Sequence, residues 1–193
     1  MSGDILQLKE QIASTETIDV AAVDAMNRLA ALYFESNPLE SYEISCRSIN
    51  EAHKLGYIEG EAVALLHAGM ASSSQRNYAE AEDFYLRSLK LREQLGDTEH
   101  IATINAKLGN IKLYEGSYND ALGYYNEAIA IRTILNDEIG IADLNTNSGI
   151  IHGFLSNYPL AIKSHLLALN TYEKLGQQSR LASAAMNIGL IYH

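Results

Sequence analysis

Apolar and polar positions along this chain alternate with the period of a helix, not of a strand. Phe84, Leu86, Leu89, Leu91 and Leu95 form a stripe too wide for a helix packed on one side only. Such a stripe suits a helix sandwiched between its own partner and the next pair. The pattern predicts helix pairs at 24–36 and 39–54, 61–75 and 78–95, 98–115 and 118–135, and 138–155 and 158–175. A last helix is expected from about 180 onward, and a short one over 4–14.

The pattern repeats every 40 residues, without gaps from Glu61 onward. One column reads Gly69, Gly109, Gly149, Gly189 and another Tyr78, Tyr118, Tyr158. Small residues fill two more: Ser41, Ala81, Ala121, Ala161, and Ser48, Ser88, Ala128, Ala168. Glycine and small side chains at fixed places let neighbouring helices approach closely. Each unit closes on Leu55-Gly56, Leu95-Gly96, Leu135-Asn136 or Leu175-Gly176, pairs that predict a helix end with a left-handed residue. Asp97 and Asp137 then place negative charge at the start of the next helix. Asn77, Ser117 and Asn157 are expected to cap the second helices, with the following tyrosine packing back. Pro159 stands in a first turn, where its missing N–H costs nothing. In the first unit the motif Leu29-Ala30…Tyr33 lies one residue late, so the turn at 35–38 is expected to be one residue shorter.

Composition agrees with an all-α chain. Only two prolines interrupt 193 residues of which 47% are apolar. The formal charge of −10 argues against nucleic acid and against an anionic membrane surface. No apolar run reaches the roughly 18 residues a membrane span needs, and MSGDILQLKEQIAS has no basic, apolar leader pattern. Cys46 is the one cysteine, which excludes an intrachain disulfide and suits a reducing compartment. A cytoplasmic setting is therefore favoured, with a periplasmic one open if a leader was removed.

The columns resemble the tetratricopeptide repeat family over Ala21 to His193. The third unit carries the signature: Leu108-Gly109, Gly116-Ser117-Tyr118, Ala121, Tyr125 and Ala128. The family's usual unit is about 34 residues, so each helix here gains about one turn. The longer unit is similar to Pins-type adaptors and to sensor regions ahead of bacterial histidine kinases and cyclases. Ser36 to Ala62 (SNPLESYEISCRSINEAHKLGYIEGEA) has the style of a first repeat in the bacterial group. The departures are in the first helices. The early aromatic becomes Leu65, Asn105, Asn145 and Ala185; the late tyrosine survives at Tyr33 and Tyr192 but becomes Ser72, Lys112 and His152.

The resemblance implies a right-handed α-solenoid of antiparallel helix pairs. A capping segment would occupy 1–20. Units would lie at 21–60, 61–100, 101–140 and 141–180, with a part-repeat at 181–193. It also implies that first helices line a concave groove for a peptide or protein partner. Carried over by column, the groove set is Arg28, His67, Lys107, Asn147 and Asn187. Asp24, Val63, Thr103, Asp143 and Ser183 run one turn before, and Ala31, Met70, Asn110, Ile150 and Leu190 one turn after. This gives a basic N-terminal half and an amide-rich C-terminal half, whose Asn side chains can hold a peptide backbone. Solvated polar residues on an open face are the plain alternative. The set is too sparse for the carboxylate clamp of chaperone-tail receptors.

Catalytic signatures are missing. No two of His53, His67, His100, His152, His165 and His193 stand at i, i+3 or i+4, so no metal site is expected. His165 falls in an aromatic column and is expected to pack in the core. Cys46 reads as a small buried hydrophobe. Glu80, Glu82 and Asp83 read as helix-dipole charges, and there is no phosphate loop or nucleophile elbow. No cofactor is implied. The expected role is a protein-interaction or sensory module of a larger bacterial signalling protein. The alternatives are a free-standing adaptor or self-associating scaffold and, remotely, an enzyme on a helical scaffold. The final NIGLIYH suggests a fragment, or a last helix whose apolar face is covered by a second copy.

Overall fold

The computed structural model describes residues 2–14 and 17–191, so Tyr192 and His193 lie outside the described residues. Among these are ten α-helices and no strand. They fall into two compact halves, one ending at His100 and one beginning at Ile101.

The first half contains α1 (Ser2–Ser14), α2 (Val20–Tyr33), α3 (Pro38–Leu55), α4 (Ile58–Ser74) and α5 (Tyr78–Leu95). Consecutive helices pack on one another and α2 also meets α4, so first helices form a layer of their own. α2 starts at Val20, four residues before the periodicity alone suggests, because Asp19 is extended and its carboxylate accepts the Ala22 N–H at 2.8 Å. Leu8 on α1 joins Ala25 and Leu29, while Ile49, Ala64, Leu65, Ala68 and Phe84 make the next apolar cluster. Asn27, 4% exposed, ties three helices together: its Nδ2 donates to the Gly60 carbonyl at 2.9 Å and its Oδ1 accepts from Ser48 Oγ at 2.7 Å. Ser41 and Ser88 sit in the small-residue columns and donate to the carbonyls of Ala30 and Ala62. A serine there is thus as compact as alanine and its hydroxyl is satisfied.

The second half contains α7 (Tyr118–Ile134), α8 (Glu138–Phe154), α9 (Tyr158–Lys174), α10 (Gln178–Ile191) and most of α6 (Thr98–Tyr114). Ala121, Tyr125, Ala128, Leu144 and Ile151 form one apolar cluster; Ala142, Ala168, Tyr172 and Ala184 form another.

The punctuation read from sequence is found, with one correction. Gly56, Gly96, Asn136 and Gly176 all take positive φ (65, 67, 55 and 67°) at helix ends. Arg76, Gly116 and Ser156 do so between the helices of a pair. The turn after α2 has no such residue, and there Asn37 N–H bonds the Tyr33 carbonyl, four residues back instead of the five spanned by Asn77 to Ser72. That is the predicted one-residue shortening. The capping expectation holds for Asn157, whose side chain accepts from Leu160 N–H at 3.4 Å, but Asn77 and Ser117 make no side-chain cap bond. Backbone angle does not separate them from Asn157: ψ is 67 and 65° at Asn77 and Ser117, and 66° at Asn157. Asp137 caps α8 through Gly140 N–H, and Asp97 accepts from His100 N–H.

Two features were not legible. Arg92 Nη1 donates to Asp97 Oδ2 at 2.6 Å, and Arg132 pairs with Asp137 in the same way. Each latches the end of a second helix to the start of the next first helix. The glycine column is also tighter than a small-residue stripe requires. A Cβ on Gly69 would stand 2.6 Å from the Tyr85 ring, and one on Gly109 2.4 Å from the Tyr125 ring.

Candidate functional site

The candidate residues separate between the halves. On the first, Arg28 of α2 is exposed, whereas His67 of α4 is largely buried and its Nδ1 has no hydrogen-bond partner. Burial lowers the His67 pKa, so the imidazole is neutral near pH 7 and adds no basic charge to the row.

The second half assembles more. Asn110 Oδ1 accepts the Tyr125 hydroxyl at 2.7 Å and Asn147 Nδ2 at 3.3 Å, joining α6, α7 and α8. Asp143 Oδ1 accepts the Tyr172 hydroxyl at 2.8 Å and Arg180 Nε at 3.0 Å. Thr146 Oγ1 lies 3.2 Å from the same hydroxyl. Tyr172 is buried, and burial first, then its bond to Asp143, pushes its pKa up to about 12 despite the opposing Thr146 contact. The phenol is therefore a fixed proton donor to Asp143. Lys107 is half-buried and its pKa is lowered by desolvation.

Two pockets open between α8 and α10. One, of about 290 Å³, is polar and is lined by Asp143, Thr146, Asn147, Tyr172, Arg180 and Ser183. The other, of about 360 Å³, is mainly apolar, with Ile150, Phe154, Leu190, Asn187 and His165 in its wall. Asp143 and Asn147 thus share a site, while Asn187 belongs to the neighbouring pocket. Helical periodicity placed all three on one face; the pocket walls also draw on residues it did not select. Thr146, Tyr172 and Arg180 were missed. The available signal was a break in column: Arg180 stands where earlier units have Gly60, His100 and Gly140.

In the first half, a pocket of about 750 Å³ lies on second-helix surface beside Cys46. Its wall residues His53 and Glu61, and Lys54 and Glu51, pair with each other. Cys46 is half-buried, and burial raises its pKa, which keeps it a thiol. No helix among the described residues is long and apolar enough to cross a membrane.

Helices paired in tandem, with a glycine notch in α4, α6 and α8 and a ring from α5, α7 and α9 seated on it, define an all-α helical repeat protein. Residues 60–134 match the family model of the tetratricopeptide repeat. No curated protein matches the chain. Among solved structures it is similar to BtubC (BKLC) from P. vanneervenii, at 21% identity and TM-score 0.81, covering 99% of this chain and 80% of that one. It is similar to a Signal Transduction ATPase with Numerous Domains that carries a tetratricopeptide repeat sensor, from Pyrococcus horikoshii. There the identity is 19% and the TM-score 0.87, over 97% of this chain and 29% of that one. A Rap protein complexed with Competence and Sporulation Factor shares 15% identity at TM-score 0.79, over 95% of this chain and 53% of that one. At these identities the likeness is one of fold. The repeat fold is in general a non-catalytic protein-interaction scaffold.

Proposed function

We propose that the surface between α8 and α10 is a peptide-binding groove, and that the chain serves as the sensory or adaptor module of a larger signal-transduction protein. One observation carries this reading: Asp143, Asn147 and Arg180 meet in a single polar pocket beside an apolar one. Asn147 offers both donors and acceptors to a peptide backbone. Arg180 is half-exposed although Nε pairs with Asp143 and Nη1 donates to Gln177 at 3.1 Å, so Nη2 can meet a carboxylate or carbonyl. The repeat sensor and the Rap complex among the similar structures support a ligand-reading role.

The test starts from a random peptide library displayed against the immobilised chain. The best peptide is then titrated calorimetrically into wild type, Lys107→Ala, Asn147→Ala and Arg180→Ala. Loss of one charge-assisted or amide contact should weaken binding about 5- to 30-fold. Unchanged affinity in both Lys107→Ala and Asn147→Ala would sink the groove.

A second reading has its own observation. Met186 and Leu190 on α10 are exposed, and the Gly189 notch carries no ring within 4 Å. We propose that this face pairs two copies of the chain. Sedimentation showing monomers at high concentration for wild type, as for Met186→Glu, removes that reading.

A further inference from the structure

The ring-on-glycine column changes character at its third member. Tyr125 lies over Gly109, and its hydroxyl reaches past the glycine to Asn110. In the next repeat His165 lies over Gly149, with a Cβ there only 2.6 Å from the imidazole. Imidazole is shorter than phenol and carries no hydroxyl, and the position of Asn110 is taken by Ile150. Two consequences follow. His165 is 1% exposed and its Nδ1 has no hydrogen-bond partner. Beside it a pocket of about 360 Å³ opens, walled by Ile150, Phe154, Tyr158, Leu190 and Ile191, with Asn187 as the one side-chain amide among the described wall residues. Phe154 is held in place by stacking on Tyr118, centroids 5.4 Å apart at 20°.

We propose that this pocket receives one tyrosine side chain of the peptide partner, its ring against Phe154, Ile150 and Leu190 and its hydroxyl on His165 or Asn187. The proposal rests on the groove reading above and names the chemistry of its anchor. Size favours an aromatic ring: an apolar cavity of about 150 Å³ already holds benzene, and a larger one accepts a substituted ring. Polarity favours a phenol over a plain hydrocarbon, since an aliphatic or phenyl anchor would leave the buried imidazole nitrogen unsatisfied. Burial lowers the His165 pKa, and the neutral ring offers one donor and one acceptor, as a phenol hydroxyl does. Charged anchors are disfavoured because the described wall holds no Asp, Glu, Lys or Arg, and a desolvated charge there would have no counter-ion.

The experiment titrates 4-methylphenol, toluene and 3-methylindole into the ¹⁵N-labelled chain and follows its amide spectrum. 4-Methylphenol should shift Ile150, Gly153, Asn187 and Leu190 and bind about fivefold tighter than toluene, the increment of one neutral hydrogen bond. His165→Tyr supplies the missing hydroxyl from within and should abolish those shifts. Gly153→Leu fills the pocket from α8, where a new Cβ meets nothing within 4 Å, and should abolish them without touching the core ring. Absence of shifts in wild type, toluene or 3-methylindole binding as tightly as 4-methylphenol, or shifts that persist in both variants would each overturn the proposal. Selected peptides separate it from the groove itself. A peptide that loses affinity to Asn147→Ala but not to Gly153→Leu overturns the pocket and leaves the groove standing. A chain that binds 4-methylphenol as described but no peptide does the reverse.

Discussion

The Tyr125 ring lies so close to the Gly109 backbone that a Cβ on that glycine would stand 2.4 Å from ring atom Cε1. Both residues are fully packed, so the ring has nowhere to move. Gly109→Ala should therefore destabilise the chain by about 1–3 kcal/mol through overpacking, against a helix-propensity gain of about 1 kcal/mol. Gly123, on the same pair of helices, meets nothing within 4 Å, and Gly123→Ala should stabilise by about 0.5–1 kcal/mol. Urea unfolding of the two variants checks both signs; equal effects would mean that the notch does not govern packing.

Stability should fall on mild acidification. Burial lowers the pKa of His67, His152 and His165 below the ordinary value of 6.5. Below that value the unfolded chain takes up protons that the folded chain refuses. Their contribution is thus complete above about pH 7 and is lost as pH falls toward the folded values, by at most about 1.4 kcal/mol per pH unit per histidine. Unfolding curves at pH 7.5, 6.5 and 5.5 should show the decline, and His165→Tyr should make it shallower. A flat wild-type profile contradicts the buried neutral assignment.

Arg92 is 2% exposed and Asp97 holds only one of its nitrogens, while Nε and Nη2 have no partner. Removing the carboxylate with Asp97→Asn leaves a buried cation unpaired and should cost about 3–5 kcal/mol. Arg92→Met, which removes the charge and keeps much of the volume, should cost less. Thermal unfolding of both, and of the double variant, decides the order; a smaller loss in Asp97→Asn than in Arg92→Met would show that the latch contributes little.

Arg76 holds a left-handed backbone, φ 63°, at a position where Gly116 has φ 77°. A non-glycine residue there carries a penalty of about 1–2 kcal/mol. Arg76→Gly should stabilise by about 0.5–1 kcal/mol once the greater freedom of the unfolded glycine is counted. Chemical denaturation gives the sign, and a destabilised variant would place the value of Arg76 in its side chain.

The architecture was legible because each rule acts within one repeat. The positive φ at Asn136, the short turn before Pro38 and the buried alanines at 121 and 128 all follow from local periodicity and turn chemistry. The candidate site was legible only as a face. Asn110, Asp143 and Asn147 were selected, yet Asn110 and Asp143 are bound by Tyr125, Tyr172 and Arg180, which lie outside the predicted row. Such pairings depend on which side chains two or three helices bring to one point, and a column along one helix does not encode that. His67 shows the same limit from the other side. Its type suggested a basic groove, while burial makes it neutral. Asn77 and Ser117 have capping side chains and the backbone angle of Asn157, yet of the three Asn157 alone makes the cap bond.

The arginine latches span only five residues each, from Arg92 to Asp97 and from Arg132 to Asp137. Closing so short a loop costs little chain entropy and takes well under a microsecond. These two joints can therefore form before any distant contact exists, on whichever repeat orders first. Folding should start at many points and spread to neighbours, fast for a chain of 193 residues, because so few of its contacts must wait for remote segments to find each other.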